Sequence, residues 1–156
     1  MSSSVDVNAP AARTWALIED ADRWPEWSDV CLEVWGAPPN TKAVSQPGRG
    51  APIEHGWRRG HRFGFLLRIA GRKIPFFVTI RRFFPGNFIE WQSTKFTITA
   101  VRSISVMPVP GGCRVIDSKE FSSYLLPIGL AYPRGVIRKM TDQWLQEVKR
   151  EAEGRS

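Results

Sequence analysis

The second half of the chain alternates between apolar and polar positions with a period of two. "HRFGFLLRI" places Phe63, Phe65, Leu67 and Ile69 on one face, and "IPFFVTIRRF" places Ile74, Phe76, Val78 and Ile80 on one face with Arg81 outside. "FIEWQS" sets Ile89 and Trp91 against Glu90 and Gln92, and "FTITAVRSISVM" lines up Phe96, Ile98, Ala100, Arg102, Ile104 and Val106. "CRVIDSKEFSSYLL" supplies one more strand. The separators are short: "AGRK" (Ala70 to Lys73), "PGN" (Pro85 to Asn87) and "PVPGG". Alternation over consecutive runs joined by tight turns predicts an antiparallel meander with one wet face.

The two ends read differently. "VDVN" (Val5 to Asn8) predicts a short first strand, and Asn8 then stands as a cap candidate with Pro10 where a first helical turn tolerates proline. Ala11, Trp15 and Ile18 recur at helical spacing, so residues 10–19 predict an amphipathic helix. "DADRW" breaks it, "PEWSD" predicts a second short helix from Pro25, and "CLEVWG" a strand from Cys31 ended by Gly36. Ala37 to Gly56 is rich in Pro, Gly and polar residues, which predicts a long, mobile loop. After a break at Pro127 to Pro133, Val136, Ile137, Met140, Trp144 and Val148 fall on one stripe of a helix of about five turns. The sheet is the partner that can cover that stripe, so the class is α+β, and residues 1–156 read as a single domain.

At 156 residues and 42% hydrophobic content the chain can bury a sizeable core, much of it aromatic, with seven Trp and nine Phe. No apolar run reaches the roughly 18–20 residues of a membrane span, and "MSSSVDVNAP" lacks the marks of a signal peptide, so the expected location is cytoplasmic. Cys31 and Cys113 are too few for a disulfide framework or a zinc site. The net charge of +7 is uneven: residues 1–33 carry two Arg and seven acids, whereas residues 49–82 carry nine Lys or Arg and one acid. That asymmetry fits either the solvated face of strands or a surface for an anionic membrane or an acidic partner.

Several motifs together resemble the SRPBCC superfamily, also described as START-like or polyketide cyclase/dehydrase-like. They are Ala9-Pro10, Thr14-Trp15 and Trp24-Pro25-Glu26-Trp27 near the start, "PGNFIEWQS" ending a strand at Trp91, "PGGCRVIDSKEF", and the last helix. The resemblance implies a helix-grip fold, in which a curved seven-stranded antiparallel sheet wraps the C-terminal helix, with two short helices between strands 1 and 2. It also implies an apolar cavity between sheet and helix, in a family whose members bind lipids, sterols, polyketides or similar molecules. The loop at 37–56 would then border the cavity mouth. Of the two rings in "WPEW", one plugs the structure and one walls the cavity, or both are plain core.

For such a cavity the strand register nominates Phe65, Phe76, Val78, Trp91 and Ile104, the helix nominates Met140 and Trp144, and the early turn nominates Trp27. For each, ordinary core packing is the competing role. Arg102 stands out as a charge at an otherwise apolar parity. On the next strand Ile116, Ser118 and Glu120 share a parity; if both sets point inward, Arg102 and Glu120 meet as a pair able to anchor a carboxylate or hydroxyl. The alternative is a bulge near Ala100 that turns Arg102 outward. Tyr124 and Tyr132 add hydroxyls near the hinge into the long helix. His55 and His61 lack partners at metal-binding spacing, and no nucleophile elbow or phosphate loop is present, so neither metal nor cofactor is expected. Glu120 is the candidate acid or base.

Three functions follow. The first is a binder or carrier of a small hydrophobic molecule. The second is an aromatase/cyclase-type enzyme using polar groups in the cavity. The third is an interaction module whose basic 49–82 region meets an anionic membrane surface, RNA or an acidic protein, with no DNA expected as partner.

Overall fold

In the computed structural model, residues 1–37, 57–95, 97–123 and 134–154 are described. Nearly all of the predicted 37–56 loop, together with His55, Phe96, Tyr124, Tyr132 and the break at 127–133, lies outside them. Seven strands form one antiparallel sheet in the order β1-β7-β6-β5-β4-β3-β2. They are β1 (Ser2–Val7), β2 (Cys31–Trp35), β3 (Arg62–Ile69), β4 (Arg72–Phe84), β5 (Phe88–Lys95), β6 (Ile98–Val109) and β7 (Gly112–Ser123). Between β1 and β2 come α1 (Ala11–Glu19), a single 3-10 turn (Ala21–Arg23) and the one-turn helix α2 (Trp24–Trp27). The long helix α3 (Arg134–Glu153) follows β7.

The turn chemistry explains the meander. Ile69 pairs with Arg72, so Ala70 and Gly71 alone make the β3–β4 turn, and both have positive φ, 50° and 76°. That is the conformation a two-residue hairpin turn with matching twist demands. Val109 pairs with Gly112 across Pro110–Gly111, with φ of 85° at Gly111. At the start of α1, Pro10 is the cap residue: its carbonyl accepts from the amides of Arg13 and Thr14, and no side chain caps the helix. Asn8 therefore does not cap α1; its amide donates instead to Glu153 of α3 at 2.6 Å.

The inner face carries the predicted apolar rows, with one break. The register shifts between Ile80 and Arg82, a β-bulge at Arg81. Beyond it Phe83 faces inward opposite Ile89 and stacks on Trp15 of α1, ring centroids 6.2 Å apart. α3 buries Ile137, Thr141, Trp144, Leu145, Val148 and Ala152. A polar clamp fixes its position. The buried Glu147 accepts from the Ser28 hydroxyl at 2.5 Å and from the Asp29 amide at 2.9 Å, and the same hydroxyl accepts from the amides of Val30 and Cys31. One carboxylate thus ties the helix to the junction between α2 and β2.

On the outer face Trp35 and Phe77 stack at 6.2 Å across Gly64, where a Cβ would lie 3.0 Å from both rings. The basic side chains of Arg58, Arg59, Arg62, Arg68, Arg72, Lys73, Arg81 and Arg82 are all exposed. No helix among the described residues is long and apolar enough to cross a membrane.

Candidate functional site

A cavity of about 60 Å³ opens between the inner face of β3–β7 and the first turns of α3. Phe65, Phe76, Val78, Trp91, Ile137 and Met140 give it apolar walls, and Arg102 and Lys119 are its two charged residues. Behind it the interior is filled by rings. Trp24 lies 6.0 Å from Trp91 and 6.1 Å from Trp144, and Trp57 packs on Phe63 at 5.1 Å. Both tryptophans of "WPEW" belong to this packing: Trp24 sits at its centre and Trp27 rests on Trp144 at 6.1 Å. Two roomier concavities, of about 790 and 610 Å³, are lined in part by exposed residues such as Arg62 and Phe77 in one and Arg68 and Lys139 in the other.

The charged wall follows from strand register. Trp91 pairs with Arg102 and Arg102 with Lys119, so these side chains form one row across the inner face. Asp117 pairs with Ile104, one step along. No register shift interrupts β6 between Ile98 and Val109, so Arg102 points inward and the bulge near Ala100 does not occur. Directly opposed like charges repel, and Asp117 offsets this by bridging both. Arg102 donates to it through Nε at 3.1 Å and Nη2 at 2.5 Å, and Lys119 through Nζ at 2.9 Å. Lys119 also donates to Thr141 Oγ1 of α3 at 2.6 Å, while Thr141 donates to the Ile137 carbonyl. The guanidinium carbon of Arg102 lies 5.3 Å from the Trp91 ring centre and 4.9 Å from that of Trp144, within cation–π range.

These groups are shielded from water: the side chains of Arg102, Lys119 and Asp117 are 12%, 9% and 0% exposed. Burial alone would raise the Asp117 carboxyl, but the charges and hydrogen bonds of Arg102 and Lys119 outweigh it and hold it below the usual carboxylate range. Burial, followed by the charge of Arg102 opposite, pushes the Lys119 ammonium down to about 8, with Asp117 opposing the shift. Burial likewise pushes the Cys31 thiol up to about 12, which leaves it unreactive at neutral pH.

The structure brings Phe65, Phe76, Val78, Trp91, Arg102 and Met140 together at the cavity. Ile104 is fully buried beside it without lining it, Trp27 lies apart from it, and Trp144 walls only a gap of about 10 Å³ behind it. Tyr124 is not among the described residues. Glu120 requires a correction. It pairs with Val101 and is exposed on the outer face, so the acid facing Arg102 is Asp117. The inward parity of β7 is that of Cys113, Val115, Asp117, Lys119 and Phe121. Cys113, Val115 and Phe121 were the available signal, and Ile116 on the other face masked it. Among the described residues no cluster of metal-ligating side chains occurs.

A long helix laid in the grip of a curved seven-stranded antiparallel sheet, with a mostly apolar cavity between them, defines an α+β helix-grip fold. The chain belongs to the family described as polyketide cyclase / dehydrase and lipid transport, whose family model matches residues 1–153. No curated protein matches it in sequence. Among solved structures it is similar to a START superfamily protein from Mycobacterium smegmatis, at 12% identity and TM-score 0.70, covering 100% of this chain and 98% of that one. It is also similar to major latex-like protein 151 from Panax ginseng, at 8% identity and TM-score 0.72, covering 97% and 95%. The di-domain ARO/CYC StfQ from the steffimycin biosynthetic pathway matches at 14% identity and TM-score 0.70, covering 99% of this chain and 51% of that one. At these identities the likeness concerns the fold.

Proposed function

We propose that the protein binds a small, largely apolar molecule between the sheet and α3, with its polar end at Arg102 and Lys119. The observation that carries this reading is a cavity walled by Phe65, Phe76, Val78 and Met140 that meets charge on one side only. Apolar walls supply affinity and a few convergent polar groups supply orientation. A volume of about 60 Å³ seats only the head of such a molecule. The remainder extends past the rim, where the half-buried, flexible Met140 side chain can swing aside. The cytosol is the compartment this reading assumes, in keeping with Cys31 and Cys113 as buried free thiols.

Native mass spectrometry of freshly purified protein, paired with solvent extraction, tests the reading. A co-purifying small molecule of defined mass that Val78→Trp abolishes is the expected result. An unliganded mass that stays unliganded after incubation with hydrophobic compounds would overturn it.

A second reading, cyclase-type proton transfer, is favoured by Lys119. An amine that titrates near 8 on an apolar cavity wall can give and take a proton near neutral pH. Glu120, on the outer face, has no place in that chemistry, so Glu120→Gln is expected to leave any turnover unchanged.

A further inference from the structure

The described charges do not balance at the cavity wall. Arg102 and Lys119 both line the cavity, whereas Asp117, the carboxylate they share, is buried behind them and does not line it. The other acids nearby are committed elsewhere. Glu147 is held by Ser28, Asp29 and Gln143, and Asp142 is an exposed residue of α3 that acts on Lys119 only through its charge. An occupant of the cavity therefore faces two cations, with a single anion on their far side.

Both cations keep donor capacity. A guanidinium carries five N–H donors, and Asp117 takes those on Nε and Nη2 of Arg102. An ammonium carries three, and those of Lys119 reach Asp117 and Thr141. Burying an uncompensated cation is costly, and an oxyanion placed in the cavity against both groups would remove that cost.

We propose that the ligand is an apolar molecule carrying one anionic oxygen group, a carboxylate or an enolate, seated on Arg102 and Lys119. This rests on the ligand-binding reading above and names its ligand class. The anion completes a four-charge set of two cations and two anions, while the apolar body lies along Phe65, Phe76 and Met140. Arg102 suits this role because Trp91 and Trp144 fix its plane through cation–π contact.

The test uses matched probes that differ only in the head group: decanoate against decanol, and 2-naphthoate against 2-naphthalenemethanol. Binding to the full chain is followed by tryptophan fluorescence. At pH 7 each carboxylate is expected to bind at least about tenfold tighter than its alcohol, the scale of one charge-assisted hydrogen bond. Lys119→Met and Arg102→Met each leave one cation against Asp117, a neutral pair, and each is expected to reduce the ratio to within about twofold. Wild-type protein gives an arm that needs no variant. As pH rises from 7 to 10 Lys119 loses its proton, so the carboxylate-to-alcohol ratio falls while the carboxylates themselves stay ionised. Equal binding of acid and alcohol overturns the anion proposal and leaves the ligand-binding reading standing. A preference that survives both substitutions or ignores pH overturns it as well. Failure of every probe to bind removes both.

Discussion

Replacing Lys119 by methionine measures the electrostatic strain held in the cavity wall. The ammonium sits buried, opposite Arg102, and its pKa falls from 10.5 to about 8 despite the bond to Asp117. At about 1.4 kcal/mol per pH unit, that gap corresponds to roughly 3 kcal/mol which the charged amine withdraws from the folded state. The sign follows from proton counting. Above pH 10.5 the amine is neutral in both states and the penalty is absent. Between 10.5 and 8 the unfolded chain holds a proton that the folded chain lacks, so stability falls as pH drops. Below 8 the penalty is complete. Methionine keeps the volume and removes the charge, and Asp117 retains Arg102. The stability of wild type relative to Lys119→Met is therefore expected to rise by about 3 kcal/mol between pH 7 and 10.5. Urea unfolding of both proteins under reducing conditions, read by tryptophan fluorescence across that range, gives the difference directly. Groups common to both proteins cancel in the difference, among them Cys31, whose thiol burial pushes up to about 12. A difference that stays flat from pH 7 to 10.5 would refute the argument, because it would mean that the amine is hydrated rather than buried.

The other predictions concern the scaffold. Gly112→Ala is expected to destabilise by about 3 kcal/mol, because a Cβ there would collide with the Val7 carbonyl; faster hydrogen exchange along β1 is the readout, and unchanged exchange would contradict the close approach. Ala70→Asn should stabilise by about 0.5–1 kcal/mol, since Ala70 holds φ of 50° in a two-residue turn for which asparagine before glycine is well suited; a lowered melting temperature would count against it. Glu147→Leu strands the Ser28 hydroxyl and the Asp29 amide and should cost about 3 kcal/mol, whereas Glu147→Gln keeps an acceptor and should cost about 1 kcal/mol. Urea midpoints equal to that of wild type for both variants would show that the clamp contributes nothing.

Much of the fold could be read from residue pattern, because the physics was local. Phe63, Phe65, Leu67 and Ile69 alternate without interruption, and the turns at Ala70–Gly71 and Pro110–Gly111 advertise themselves. The resemblance carried by Ala9-Pro10 and the "WPEW" turn supplied the seven-strand count and the helix-grip arrangement. The bulge at Arg81 could not be read, since "TIRRFF" is compatible with either phase. At the site, Arg102 was legible as the one charge at an apolar parity. Its partners were not, because the inward row of β7 hides Asp117 and Lys119 among apolar neighbours while Ile116 gives the outward row an apolar look. Polar residues buried in pairs cancel each other's cost, and that compensation appears only once two strands are in register.

The pairing of β1 with β7 bears on the order of events in folding. β3 to β7 close as successive hairpins between sequence neighbours, but β1 must wait for a partner more than a hundred residues away, Val7 meeting Cys113 and Ser2 meeting Ser118. Such long loop closures come late, after the local hairpins have formed. The β7 strand that β1 seals is the one carrying Asp117 and Lys119, and α3, which covers them, is also held by Asp6 and Asn8 through Lys149 and Glu153. The costly dehydration of the charged wall thus belongs to the last closure of the chain, and its free energy governs how fast the folded protein opens rather than how fast it forms.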